Sequence, residues 1–175
     1  MRRVRYNVAA SLDGFIADAT GGYDWIPQDS AVDFAALFAR VDTVVMGRRS
    51  YQAALTAGGV PAAPGTRIHV FSRTLDPADH PKVTIVAADA AATVAALRAE
   101  AGEGEIWLFG GGGLFGELVA AGQVDSVEVT VVPVLLGAGV PLVAGLTTRV
   151  PLRLTATRQY PSGMVTLTYT VGLSG

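Results

Sequence analysis

Cysteine is absent from this 175-residue chain, which removes disulfides, thiolate zinc sites and cysteine nucleophiles together and leaves the redox compartment open. Charge is scarce: 16% of the residues are Asp, Glu, Lys or Arg, the formal net charge is −2, and no block of Lys or Arg stands out. The electrostatic footprint of a nucleic-acid binder is missing, so an anionic ligand would need a local basic pocket. Uninterrupted apolar length is lacking too. The longest uncharged apolar stretch, Val131 to Leu146, contains Pro133, Pro141 and three glycines and cannot form one membrane-spanning helix. The arginines near the N-terminus precede no apolar core with a small-residue cleavage site, so that end reads as a first strand and the expected location is the cytoplasm. His69 and His80 have no carboxylate or second histidine at ligand spacing, and no metal is expected. Neither a Gly-x-Ser-x-Gly elbow nor a P-loop occurs, which leaves acyl transfer and nucleoside triphosphate hydrolysis without a starting point.

Apolar residues make up 50% of the chain, enough for one domain with a substantial core. Strand patterns fall at Val4 to Ala10, Thr43 to Met46, Ile68 to Ser72, Val83 to Ala87, Ile106 to Phe109 and Val124 to Val132. Helical patterns follow Asp29 or Ser30, follow Arg48 or Arg49, and cover Ala90 to Ala101 and Leu114 to Ala121. Ser11 to Gln28 reads as a long loop, and two further strands, near Leu152 to Arg158 and Met164 to Gly172, close the chain around a turn at Pro161 to Gly163. Strand–helix alternation followed by a strand-rich C-terminal third predicts an α/β fold, with a mainly parallel sheet, helices on both faces and antiparallel strands at one edge. Ligands of such sheets sit beyond the carboxyl ends of the strands.

Several features collect at that edge. Phe109-Gly110-Gly111-Gly112-Gly113-Leu114-Phe115 carries a strand through four glycines into a helix, where backbone N–H groups and the helix dipole suit a phosphate. Gly47-Arg48-Arg49-Ser50 and Ser72-Arg73 place three arginines and two hydroxyls after two other strands, and arginine forks match phosphate oxygens. A pyrophosphate at the glycines with an arginine-lined pocket nearby fits a dinucleotide bearing an extra phosphate, NADPH rather than NADH. Asp13, in Ser11-Leu12-Asp13-Gly14, could orient a substrate group or relay a proton, or could cap a local turn. Trp25 could line a ligand cavity or cover the core, while Asp29 and Asp33 read as helix-start residues that could also face a cleft.

These motifs, with Val132-Pro133-Val134-Leu135-Leu136-Gly137 to Leu142, occur in an order that resembles the dihydrofolate reductase superfamily, and within it the C-terminal reductase domain of the riboflavin-biosynthesis protein RibD and its stand-alone relatives. The resemblance covers essentially the whole chain and implies a three-layer dihydrofolate reductase-like fold, NADPH as hydride donor and a homodimer. It places Gly47 to Ser50 on the adenosine phosphates, Ser72 and Arg73 on the 2′-phosphate, and Gly110, Gly111, Gly112, Gly113, Leu114 and Phe115 on the pyrophosphate. It also sets Ala10, Ile16 and Ala17 around the nicotinamide, Asp13 as a substrate-facing catalytic carboxylate, and Trp25, Asp33 and Pro133 toward a small heterocyclic substrate. The implied activity is that of 5-amino-6-(5-phosphoribosylamino)uracil reductase; the alternatives are dihydrofolate reduction and a non-catalytic nucleotide- or flavin-binding module. Three departures bear on the substrate: Arg67 stands one place off the position of the folate-clamping arginine after Pro64-Gly65, the place of the pterin-protonating acid on the first helix falls at Ser30 with Asp29 and Asp33 nearby, and the riboflavin-type Asp-Pro-Leu segment is missing from Ser50 to Gly59.

Overall fold

Strands covered on both faces read as unbroken apolar runs, as Val44 to Met46 and Ile106 to Leu108 do, and they lie within a set of six strands at the centre of the molecule. In the computed structural model, which describes residues 1–172, these are β1 (Val4–Ser11), β3 (Val41–Gly47), β4 (Arg67–Phe71), β5 (Thr84–Val86), β6 (Glu105–Gly110) and β7 (Ser126–Val132). They run parallel in the spatial order β5-β4-β3-β6-β1-β7. β10 (Val165–Val171) joins β7 antiparallel, and β9 (Leu152–Gln159) pairs with β10 and forms the outer edge.

Residue alternation along each strand divides the apolar material between two layers. On one face, Val4, Tyr6, Ile106 and Leu108 pack with Val94 and Leu97 of α3 (Ala90–Ala99) and with Phe115 and Leu118 of α4 (Gly112–Ala120). On the other, Val44, Met46 and Trp107 meet Tyr51 of α2 (Arg48–Thr56) and Leu37 and Phe38 of α1 (Phe34–Ala39). The three-layer α/β architecture expected from the strand–helix alternation is the one observed.

Three local departures have physical causes. The segment expected as a loop from Ser11 to Gln28 contains β2 (Phe15–Asp18), which pairs with β8 (Gly139–Pro141) inside the apolar Val131 to Leu146 stretch. Both strands are too short for an alternation signal. The helix expected after Asp29 or Ser30 starts later, at Phe34, because Asp29 accepts from Ala31 N (2.9 Å) and Ser162 N (3.1 Å), while Asp33 caps the helix by accepting from Ala36 N at 2.8 Å. The helix expected from Leu114 begins two residues earlier, so Gly112 and Gly113 belong to its first turn.

Candidate functional site

Because the six parallel strands point the same way, their carboxyl ends line one edge, and the sheet order sets which turns are neighbours. β3 and β6 are adjacent, with Met46 in register with Gly110, so the turns into α2 and α4 lie side by side. Their contact is close: a Cβ on Gly110 would lie 3.3 Å from Ser50 Oγ, and one on Gly111 3.4 Å from it. Gly110 also has φ 154°, a conformation that side chains rarely adopt. Its peptide bond to Gly111 is cis.

Helix capping singles out these two helices. Asp33, Asp76 and Asp89 cap α1, a 3-10 turn at Pro77–Asp79 and α3 with their own carboxylates. By contrast α2 and α4 have Gly47 and Gly111 at the N-cap, and no side chain bonds either terminus. Each therefore presents first-turn N–H groups and the positive end of a helix dipole without an internal anion. Beside Gly47 and Gly113 there is open space, with nothing within 4 Å of a built Cβ. Arg48, Arg49 and Arg73 are exposed on this edge and join no ion pair among the described residues; Arg3, Arg149, Arg153 and Arg158 join none either but lie before β1, before β9 and on β9, while Arg2, Arg5, Arg40, Arg67 and Arg98 are paired.

Two strands along, the carboxyl ends of β4 and β5 open into a cleft of ≈ 320 Å³ walled by Phe71 to Arg73, Val86 to Ala90, and Leu114 and Glu117 of α4. Ser72 is buried there, and its Oγ accepts from Thr74 N and Leu75 N, both at 3.1 Å. Its oxygen thus shapes the turn that displays Arg73. The cradle residues fit a dinucleotide phosphate, with donors and cations at one end and a cleft at the other.

The glycine cluster divides by task. Gly110 and Gly111 form the turn against Ser50, and Gly113 faces open space. Gly112 belongs to the packing instead: a Cβ there would strike the Pro141 carbonyl oxygen, and its own carbonyl accepts from Ala144 N at 3.0 Å. Gly116, not singled out in the sequence, does the same against the Ala144 carbonyl. Phe115, expected on the cofactor, is in the core and stacks on Tyr6 with ring centroids 4.0 Å apart. The spacing 112, 115, 116, 119 is a helical face, and that periodicity is the signal that assigns all four to the interior.

On the far side of the glycine turn, Ala10 is buried at the end of β1, and Ile16 and Ala17 lie half-buried on β2. Asp13, expected toward substrate, has its acceptors engaged by the protein. Its carboxylate receives Ser11 Oγ (2.7 Å), Leu136 N (3.1 Å to Oδ1) and Gly137 N (2.7 Å to Oδ2). The Ser11 hydroxyl above all, with the Gly137 and Leu136 N–H groups, holds it down at about 2. Trp25 is half-buried and donates Nε1–H to its own loop at Gly22 O (3.1 Å), and exposed Asp33 is occupied by its capping bond. The strip containing them is tied to the β9–β10 turn by Asp29 and by Arg158, which donates to Ala31 O at 2.8 Å. Pro133 reaches the same turn, its Cγ 3.5 Å from a Cβ built on Gly163.

Sheet order and the helices on its two faces give this protein a three-layer fold of the dihydrofolate reductase kind. Its fold superposes on Enterococcus faecalis dihydrofolate reductase complexed with NADP(H) and RAB-propyl with a TM-score of 0.70 at 16% identity, covering 97% of this chain and 96% of that one. A Shewanella sp. PV-4 protein provisionally assigned to riboflavin biosynthesis superposes with a TM-score of 0.84 at 29% identity, covering 99% of this chain and all of that one. The uncharacterized Bacillus subtilis protein YwjB is 32% identical over 162 residues, 91% of this chain and 92% of its own. The chain belongs to the RibD C-terminal domain family, which matches residues 2–166.

Proposed function

We infer that this chain is an NADPH-dependent reductase that delivers hydride to a small heterocycle, in the manner of 5-amino-6-(5-phosphoribosylamino)uracil reductase. Family membership and the likeness to reductases of this fold support the reductase class. The observation that carries the cofactor is the pairing of two glycine-capped helix starts with three unpaired arginines along one edge. The N–H groups opening α2 and α4 bind the pyrophosphate, Arg48 and Arg49 neutralise it, and Arg73 takes the 2′-phosphate in the cleft beside Ser72. Hydride donation is the chemistry the bound cofactor supplies. Ala10, at the end of β1, and Ile16 and Ala17, on β2, would border the reduced ring. Trp25, Asp33 and Pro133 border the substrate space beside the β9–β10 turn.

Dihydrofolate reduction is the weaker reading. Arg67, the nearest candidate for a carboxylate clamp, lies at the amino end of β4 and is bound to Glu100 at 2.7 Å and Thr43 Oγ1 at 3.1 Å, away from the carboxyl edge. The proposal includes a homodimer, supported by β9, whose residues are all exposed, Leu152 and Leu154 among them, and by an apolar cleft of ≈ 370 Å³ that Leu152 lines. Loss of reduced-nicotinamide absorbance tests the reaction. Turnover with the ribosylaminopyrimidine phosphate supports it, and turnover with dihydrofolate alone transfers the assignment to folate. NADPH binding without oxidation of either kind moves it to a binding module.

A further inference from the structure

The adenosine cleft lies at β4 and β5 and the phosphate cradle at β3 and β6, so the sheet order brings the remaining half of the dinucleotide to the next strand end, that of β1. The chain leaving β1 is stitched to the chain leaving β7. Leu12 N donates to Val134 O (2.9 Å), Leu142 N donates to Gly14 O (2.9 Å), and β2 pairs with β8 from Phe15↔Pro141 to Asp18↔Gly139. Between these rungs the two segments separate around an exposed turn, and one side chain bridges it. Asp13 takes the consecutive N–H groups of Leu136 and Gly137, and Ser11 Oγ, which donates to Asp13 at 2.7 Å, itself accepts from Phe15 N at 2.9 Å. Two converging backbone N–H groups form an anion-binding concavity, filled here by the chain's own carboxylate.

We propose that Asp13 is a positioning residue: by pinning the turn after β7 to the start of β2, it sets the segment carrying Ile16 and Ala17 that closes over the dihydronicotinamide half of the cofactor. This rests on the NADPH reading above. It differs from a substrate-facing role because the carboxylate oxygens are already occupied by protein donors. Asparagine keeps the shape but offers one uncharged acceptor oxygen where the carboxylate offers two charged ones, so Asp13→Asn weakens the clamp without removing bulk.

The test compares NADPH with 2′,5′-ADP, which carries the adenosine half and its extra phosphate but no nicotinamide. In the wild type NADPH binds more tightly than 2′,5′-ADP. Asp13→Asn is expected to leave 2′,5′-ADP affinity within about twofold and to weaken NADPH about tenfold, the scale of losing a charge-assisted hydrogen bond. Amide hydrogen exchange at Leu136 and Gly137 rises in the free variant. A general folding defect would weaken both ligands together. Ser11→Ala, which removes the hydroxyl that orients the carboxylate, gives the same split at smaller amplitude and keeps it readable should Asp13→Asn fold poorly. Unchanged NADPH affinity alongside faster exchange at Leu136 and Gly137, or no change in that exchange, overturns the positioning role alone. A wild type that binds neither ligand overturns the NADPH reading and this inference with it.

Discussion

Gly112 and Gly113 are neighbours with opposite tasks, and substitution separates them. Ala at 112 drives a Cβ onto the Pro141 carbonyl, and overpacking of this kind costs about 1–3 kcal/mol. Its melting temperature should fall by several degrees, at roughly 2–4 °C per kcal/mol for a domain of this size. Gly113→Ala meets open space and should melt like the wild type while binding NADPH more weakly. Calorimetry and a cofactor titration on the two variants check both statements. The glycine run marked the turn in the sequence, but which glycine faces the ligand depends on Pro141 and Ala144, residues that only the fold brings there. Asp13 is a second such case. Its partners are 123 and 124 positions away, so spacing around Asp13-Gly14 favoured a local turn. Its carboxyl is lowered from 3.8 to about 2, so the folded state holds fewer protons than the unfolded chain between those values. The stabilisation is complete above about pH 4 and is lost as the pH falls through about 2. Urea midpoints should therefore drop less across that interval in Asp13→Asn than in the wild type.

At the scale of elements, capping decides what each helix start can hold. Gly47 has φ −80° and ψ 161°, open surroundings and no side-chain cap, a backbone that accepts aspartate without strain. Gly47→Asp should keep or slightly raise the melting temperature, by a few tenths of a kcal/mol, because Asp is a better N-cap than Gly. It should also reduce NADPH affinity at least about tenfold, by placing a carboxylate where the pyrophosphate docks. A joint fall in stability and binding would count against the cradle. The central strands were legible in the sequence because Val44 to Met46 and Ile106 to Leu108 are buried on both faces and read as apolar runs. β2 and β8 were not, being 4 and 3 residues long and only partly buried. The start of α1 was hidden because Asp29 is drawn to Ser162, a contact across 133 positions.

At the scale of the molecule, the gathering of these turns at the carboxyl edge was legible from strand–helix alternation, and the adjacency of the α2 and α4 starts was not. That adjacency comes from β6 lying between β3 and β1. Assembly belongs to this scale too. Leu154 is 51% exposed on β9, the strand whose Leu152 lines the apolar cleft, and Leu154→Asp should convert the proposed dimer to a monomer in light scattering without lowering the melting temperature of the monomer. The central claim is that the edge formed by Gly47, Gly111, Arg48, Arg49 and Arg73 is built for a dinucleotide with an extra phosphate. Titration of NADPH and NADH against the wild type and Arg73→Ala tests it most directly. The account predicts a marked preference for NADPH, with Arg73→Ala lowering NADPH affinity by roughly tenfold to a hundredfold and leaving NADH nearly unchanged. Equal and weak binding of both nucleotides, or a preference that survives the substitution, would contradict it.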